Sequence, residues 1–136
     1  MSDEFVERVR VVCLALPEAY QEPAWIGTRW RVRGHTFAHV LPIEDGRPPV
    51  YARAVGTDGP VVVLTFSASL SELDALASTD RGYFRAHFGR DVGGLILGDD
   101  VDWDEVAELL TESYRMHAPR KLVDRLDPRP GPRPPS

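Results

Sequence analysis

The side chains with the most obvious chemical potential are four histidines, one cysteine and a run of acids. His35 and His39 stand four apart. On a helix that spacing brings two imidazoles to one metal ion, whereas on a strand it holds them roughly 13 Å apart, too far for shared ligation. The residues around them read as strand, so they act singly; His87 and His117 have no ligand partner near them in sequence, and all four read as structural histidines. Asp100, Asp102 and Asp104 open like a D-x-D-x-D calcium loop. The pattern then fails, with Glu105 where the loop needs glycine and Thr111 where it needs a bidentate glutamate. A helix N-terminus, which favours negative charge, explains the acids without a metal. Cys13 falls on an apolar helical stripe and reads as a small buried hydrophobe. No G-x-S-x-G, P-loop, G-x-G-x-x-G or H-E-x-x-H motif occurs. The expectation is a non-enzymatic protein with no catalytic residues, no metal and no cofactor.

A second pattern suggests electrostatic rather than covalent chemistry. Arg29, Arg31 and Arg33 alternate with Trp30 and Val32. Strand side chains alternate between faces, so the arginines are expected in one row, roughly 6 to 7 Å apart, near the spacing of successive phosphates in a nucleic-acid strand. The same alternation, continued through a two-residue turn at Gly34, sets Phe37 and His39 beside Trp30, and Thr36, Ala38 and Val40 beside the arginines. Such a row serves either to contact phosphates or as a solvated edge that discourages strand aggregation.

The elements that must position these groups are legible in outline. Phe5, Val6, Val9, Val12, Cys13 and Leu16 form the stripe of a helix over Asp3 to Leu16, stopped by Pro17. Thr28 to Leu41 reads as a hairpin about Gly34. Val50 to Val55 and Val61 to Phe66 read as a second pair of strands around Gly56 to Gly59. Ser69 and Glu72 form a capping box for a short helix, Leu95 to Leu97 a strand, and Asp102 with Glu105 the start of a helix that runs to about His117. The expected order is α-β-β-β-β-α-β-α, class α+β, with an antiparallel sheet and helices mainly on one face. Residues 1–122 are read as one domain and 123–136, rich in proline and arginine, as a flexible tail.

Charge is unevenly spread. The chain of 136 residues has a formal net charge of -5, yet residues 115–136 hold six bases against two acids, leaving ten bases and nineteen acids before them. An acidic body repels phosphate polymers on average, so nucleic-acid binding needs a local basic face. With no apolar run long enough for a membrane span and no basic-apolar leader, the protein is expected to be soluble, cytoplasmic and without a membrane partner.

Two stretches resemble the MmcQ/YjbR family. The first is ALPEAYQEPAWIGTRWRVRGHTFAHV, with its W-R-V-x-G turn; the second is YFRAHFGRDVGGLILGDDVDWDEVAELLTESYRMHAPRKL, with its aromatic loop, last strand and A-P-R-K-L ending. The resemblance implies a compact α+β domain with an antiparallel sheet, described as a double wing and likened to DNA-binding modules. The chain departs from the family pattern with His35 where a lysine is common, Ala86 where a proline is common and Leu95 where an aromatic is common. Ile43 to Gly59 looks longer than usual and is expected to form an extra hairpin.

Two functional readings follow. In the first, the protein binds DNA through an arginine-lined hairpin wing, Arg29, Arg31 and Arg33, with Arg85 and Arg90 extending the patch. In the second, it is a protein-interaction or small-ligand module that uses the open sheet face, with Trp25, Tyr83, Phe84 and His87 forming a cleft.

Overall fold

The computed structural model describes residues 3–86 and 91–126. Helix α1 (Asp3–Leu14) leads into three consecutive antiparallel strands, β1 (Tyr20–Pro23), β2 (Thr28–Val32) and β3 (His35–Ile43). Helix α2 (Pro49–Val55), strand β4 (Val61–Ser67), helix α3 (Leu70–Ala77), strands β5 (Tyr83–Arg85) and β6 (Val92–Leu97), and helices α4 (Trp103–His117) and α5 (Arg120–Leu126) complete the described chain. The six strands form one antiparallel sheet in the order β1-β2-β3-β4-β6-β5. The class is α+β, as expected.

The main core lies on one face of this sheet. Trp30, Val40, Leu64, Phe66 and Leu95 pack there against Val9 and Cys13 of α1, Leu73 of α3, Val106 and Leu110 of α4 and Leu122 of α5. Burial pushes the Cys13 thiol pKa up, so it stays a neutral hydrophobe. Both expected N-caps form: Ser69 Oγ accepts from the Glu72 N–H at 3.2 Å, and Asp102 Oδ1 accepts from Asp104 and Glu105 N–H at 3.1 and 3.2 Å, while the Glu105 carboxylate turns to Arg81 and Tyr83 rather than closing the box.

Several elements differ from expectation. Val50 to Val55 is helical rather than extended, and the Ile43 to Gly59 segment contains α2 in place of an extra hairpin. The valines suggest strand, but Pro48 and Pro49 begin a helix and Gly56, in the left-handed region at φ 84°, ends it. The helix covers a small second core on the other sheet face, where Ala52 meets Leu41, Ile43 and Val63. Tyr20–Pro23 and Tyr83–Arg85 add edge strands, and Arg120–Leu126 adds a helix that crosses the domain boundary expected at 122. The part of the expected tail from Asp127 onward lies outside the described residues.

The assignment of faces on β3 also changes. Trp30 pairs with Ala38 but Arg31 pairs with Thr36, which leaves Phe37 as the extra residue of a β-bulge. Phe37 and Ala38 both join the main core, so His39 moves to the arginine face while Ala38 and Val40 lie with Trp30. Ser113 of α4 completes the interrupted ladder: its buried hydroxyl donates to the Phe37 carbonyl at 2.7 Å and accepts from the Ser67 N–H at 2.9 Å.

Candidate nucleic-acid interface

Arg29 and Arg31 share the face of the sheet opposite the main core, as their alternation with buried Trp30 and Val32 requires. They do not project as free cations. On neighbouring β1, Glu22 stands opposite Arg29 and its carboxylate takes both guanidiniums, Arg29 closely and Arg31 at 3.3 Å. The hydrogen bond from Arg29, followed by the charges of Arg29 and Arg31, holds the Glu22 pKa below its ordinary value. Arg31 also donates to the Gly34 carbonyl, and its Nε has no hydrogen-bond partner among the described residues.

Arg33 departs from the row because it belongs to the turn. Arg33 and Gly34 have φ of 50° and 83°, the signature of a type I′ hairpin, in which strand alternation ends. Its guanidinium turns to Glu18, the residue after Pro17 at the end of the α1 connection, with Nε to Oε1 at 2.8 Å. Arg125 of α5 approaches the other oxygen of Glu18 at 3.8 Å. Glu18 is held below the ordinary carboxylate pKa, chiefly by the Arg33 hydrogen bond and then by the charges of Arg33, Arg125 and Lys121. The basic turn and the basic C-terminal helix, remote in sequence, thus meet at one carboxylate. Arg29 and Arg31 share Glu22, and Arg33 and Arg125 share Glu18, where the charge of Lys121 is also felt.

Arg85 is not part of this group. It lies on β5, at the opposite edge of the sheet, four strand spacings or roughly 19 Å from β2. It faces the helix layer, where it pairs with Asp74 of α3 at 2.7 Å. Arg90 and His87 lie outside the described residues.

The aromatic residues are likewise dispersed. Trp25 sits in the β1–β2 turn and is 82% exposed. Phe84, across the sheet, lies over Gly94, where a Cβ would strike its ring, and joins the smaller core. Tyr83 points to the other face and donates to Glu105 at 2.6 Å, while Arg81 holds the same carboxylate at 3.0 Å. Burial, and then the bond to Glu105, raise the Tyr83 pKa. Trp25, Tyr83 and Phe84 therefore share no cleft.

Among the histidines, one grouping was not legible in the spacing. His35 and His117 stack with ring centroids 5.8 Å apart, and His117 Nε2 lies 3.0 Å from Ser67 Oγ. The second imidazole stacks on the face of the first and makes no hydrogen bond to it, so the pair lacks, among the described residues, the hydrogen-bonded third member that orients the base in a hydrolase triad. Only the fold brings residues 35, 67 and 117 together, through the bulge and the packing of α4. His39 donates to the Ile26 carbonyl and meets Tyr51 edge-on at 6.3 Å. No group of three or more metal-binding side chains occurs among the described residues.

The family model described as YjbR matches residues 14–116. The chain belongs to the YjbR family. The match takes in β1 to β6 and nearly all of α4, while α5, with Lys121 and Arg125, lies beyond it. A Pseudomonas syringae protein whose crystal structure was determined by the Northeast Structural Genomics Consortium is similar to this YjbR protein at 14% identity. The likeness covers 85% of this chain and 98% of that one with a TM-score of 0.62, which shows the shared fold. No curated protein matches the chain. No helix among the described residues is long and apolar enough to cross a membrane.

Proposed function

We propose that this YjbR protein is a non-enzymatic, cytoplasmic DNA-binding protein that contacts the phosphate backbone through its basic end. The observation that carries the reading is that four arginines, Arg29, Arg31, Arg33 and Arg125, share only two carboxylates, Glu22 and Glu18. The Glu22 pairs are half-buried, but those of Arg33 and Arg125 with Glu18 are exposed and hold weakly, so a phosphate can share or take over these guanidiniums, which present two parallel donors to either anion. The β2–β3 turn then acts as the wing, with α5 beside it. In this reading α5, beside the turn, extends the patch in place of Arg85, which lies at the far sheet edge paired with Asp74.

Salt dependence tests this directly, because cations that displace condensed counterions make affinity fall log-linearly with salt. Replacing Arg33, Lys121 and Arg125 together by glutamine should reduce the magnitude of the log–log slope for duplex DNA by up to about 2.7, at about 0.9 per lost contact. Wild-type protein that binds neither duplex nor single strand at low salt would overturn the reading.

A further inference from the structure

The helix layer leaves a groove between α3 and α4, about 380 Å³ in volume. Leu76 and Leu109 form its floor, and Met116, 47% exposed, lies at one end. Glu72 stands on the α3 rim, with Glu108 and Glu112 on the α4 rim. We propose that this groove docks a basic segment of a partner protein. One or two apolar side chains of the partner insert between the helices, and flanking lysines or arginines meet Glu72 and Glu108.

Charge and shape together define the partner. The groove's lining contains four glutamates and no base, and neither Glu72 nor Glu108 has an ion-pair partner among the described residues. Arg81 already holds Glu105 and Arg115 holds Glu112 at 3.2 Å, so Glu72 and Glu108, facing each other across the groove, are the two lining acids left to meet a partner's cations. Phosphate polymers have the wrong sign for this surface. The apolar floor calls for more than a cation, and the flexible thioether of Met116 adapts to differing side chains. At this volume the groove accepts side chains rather than a whole helix, whose diameter is about 10 to 12 Å. The chain's own basic C-terminus is a poorer occupant. Arg125 meets Glu18 by the α1 connection, whereas the groove lies on the α3 flank of α4. Residues 127–136 also contain no leucine, isoleucine, valine, methionine or aromatic side chain to fill the apolar floor.

The test is fluorescence anisotropy with the full chain and two labelled peptides of equal charge, KKLLKKLLKK and KKSSKKSSKK. The leucine peptide should bind at least tenfold more tightly. Glu72→Gln with Glu108→Gln should weaken it about tenfold, while Glu44→Gln with Asp45→Asn, the same charge loss at the turn before α2, should change it less than twofold. Equal binding of the two peptides, or equal loss in the two double variants, would reduce the effect to general attraction and overturn the proposal. A chain ending at Leu126 that binds the leucine peptide more than tenfold tighter than the full chain would also overturn it, by assigning the groove to the protein's own terminus.

Discussion

The Nε2–H of His39 donates a 2.7 Å hydrogen bond to the carbonyl of Ile26, so β3 braces the turn that presents Trp25. Gly27 reinforces the brace: it has φ of 79°, and a Cβ there would strike the Val40 carbonyl. The most exposed large hydrophobic side chain among the described residues is thus carried on a turn tied down from below.

The His39 contact sets a pH dependence. Burial lowers its pKa, the Ile26 carbonyl opposes that shift, and nearby Arg29 adds to it. The unfolded chain takes up a proton near pH 6.5, whereas the folded imidazole resists it, so stability is intact above about 6.5 and is lost as pH falls from there through the folded value. His117, lowered by burial and by His35, acts in the same direction. The thermal midpoint should fall as pH drops from about 6.5 to 5, and His39→Gln should fall less steeply. An NMR titration midpoint for His39 above the unfolded value would contradict this.

Trp25 should matter little for folding. At 82% exposure it contributes little burial, so Trp25→Ala should change stability by no more than about 0.5 kcal/mol. Its indole should be open to acrylamide quenching, unlike that of fully buried Trp30. A loss above about 1 kcal/mol on denaturant unfolding would show that the ring packs on the domain.

Much of this arrangement was legible before folding, and the exceptions have physical causes. Caps are local, so Ser69 and Asp102 announced their helices, and the alternation of Trp30 and Val32 with arginines gave the correct faces for β2. The bulge at Phe37 was not legible, because an extra residue in a ladder is stabilised by a distant group, here the Ser113 hydroxyl. Strict alternation therefore misplaced His39. The prolines and glycines around Val50 to Val55 bound a strand pair as readily as a helix, so the valines read as strand where Pro49 and Gly56 in fact start and end α2. The Glu18 junction required α5 to return to the β2–β3 turn, a relationship no spacing encodes.

Ser113 is open to a direct test. Ser113→Ala leaves the buried Phe37 carbonyl and Ser67 N–H without their hydroxyl partner, which should cost about 1 to 3 kcal/mol. Chemical denaturation measures it. A cost near zero would mean that the strands close the gap or admit water.

Gly94 and Phe84 should behave as one unit. Gly94→Ala places a methyl against the Phe84 ring, an overpacking expected to cost about 1 to 3 kcal/mol. In a Phe84→Ala background the methyl meets no ring, so the second substitution should cost much less. Additive losses in this double-mutant cycle would reject the coupling.

The final prediction concerns Glu18, whose carboxylate is the internal competitor of any phosphate at the basic end. Glu18→Gln keeps the size of the side chain and removes the negative charge that Arg33 and Arg125 share. If those cations contact the DNA backbone, the variant should bind duplex more tightly at low salt, with a log–log slope steeper by up to about 0.9 for each cation newly engaged. Arg85→Gln, at the opposite sheet edge and paired with Asp74, should leave both quantities unchanged. Weaker binding by Glu18→Gln would mean that the carboxylate orients Arg33 for contact rather than competing for it. A fall in slope with Arg85→Gln would shift the interface to the β5 edge, where Arg85 and Asp74 would have to part to admit a phosphate.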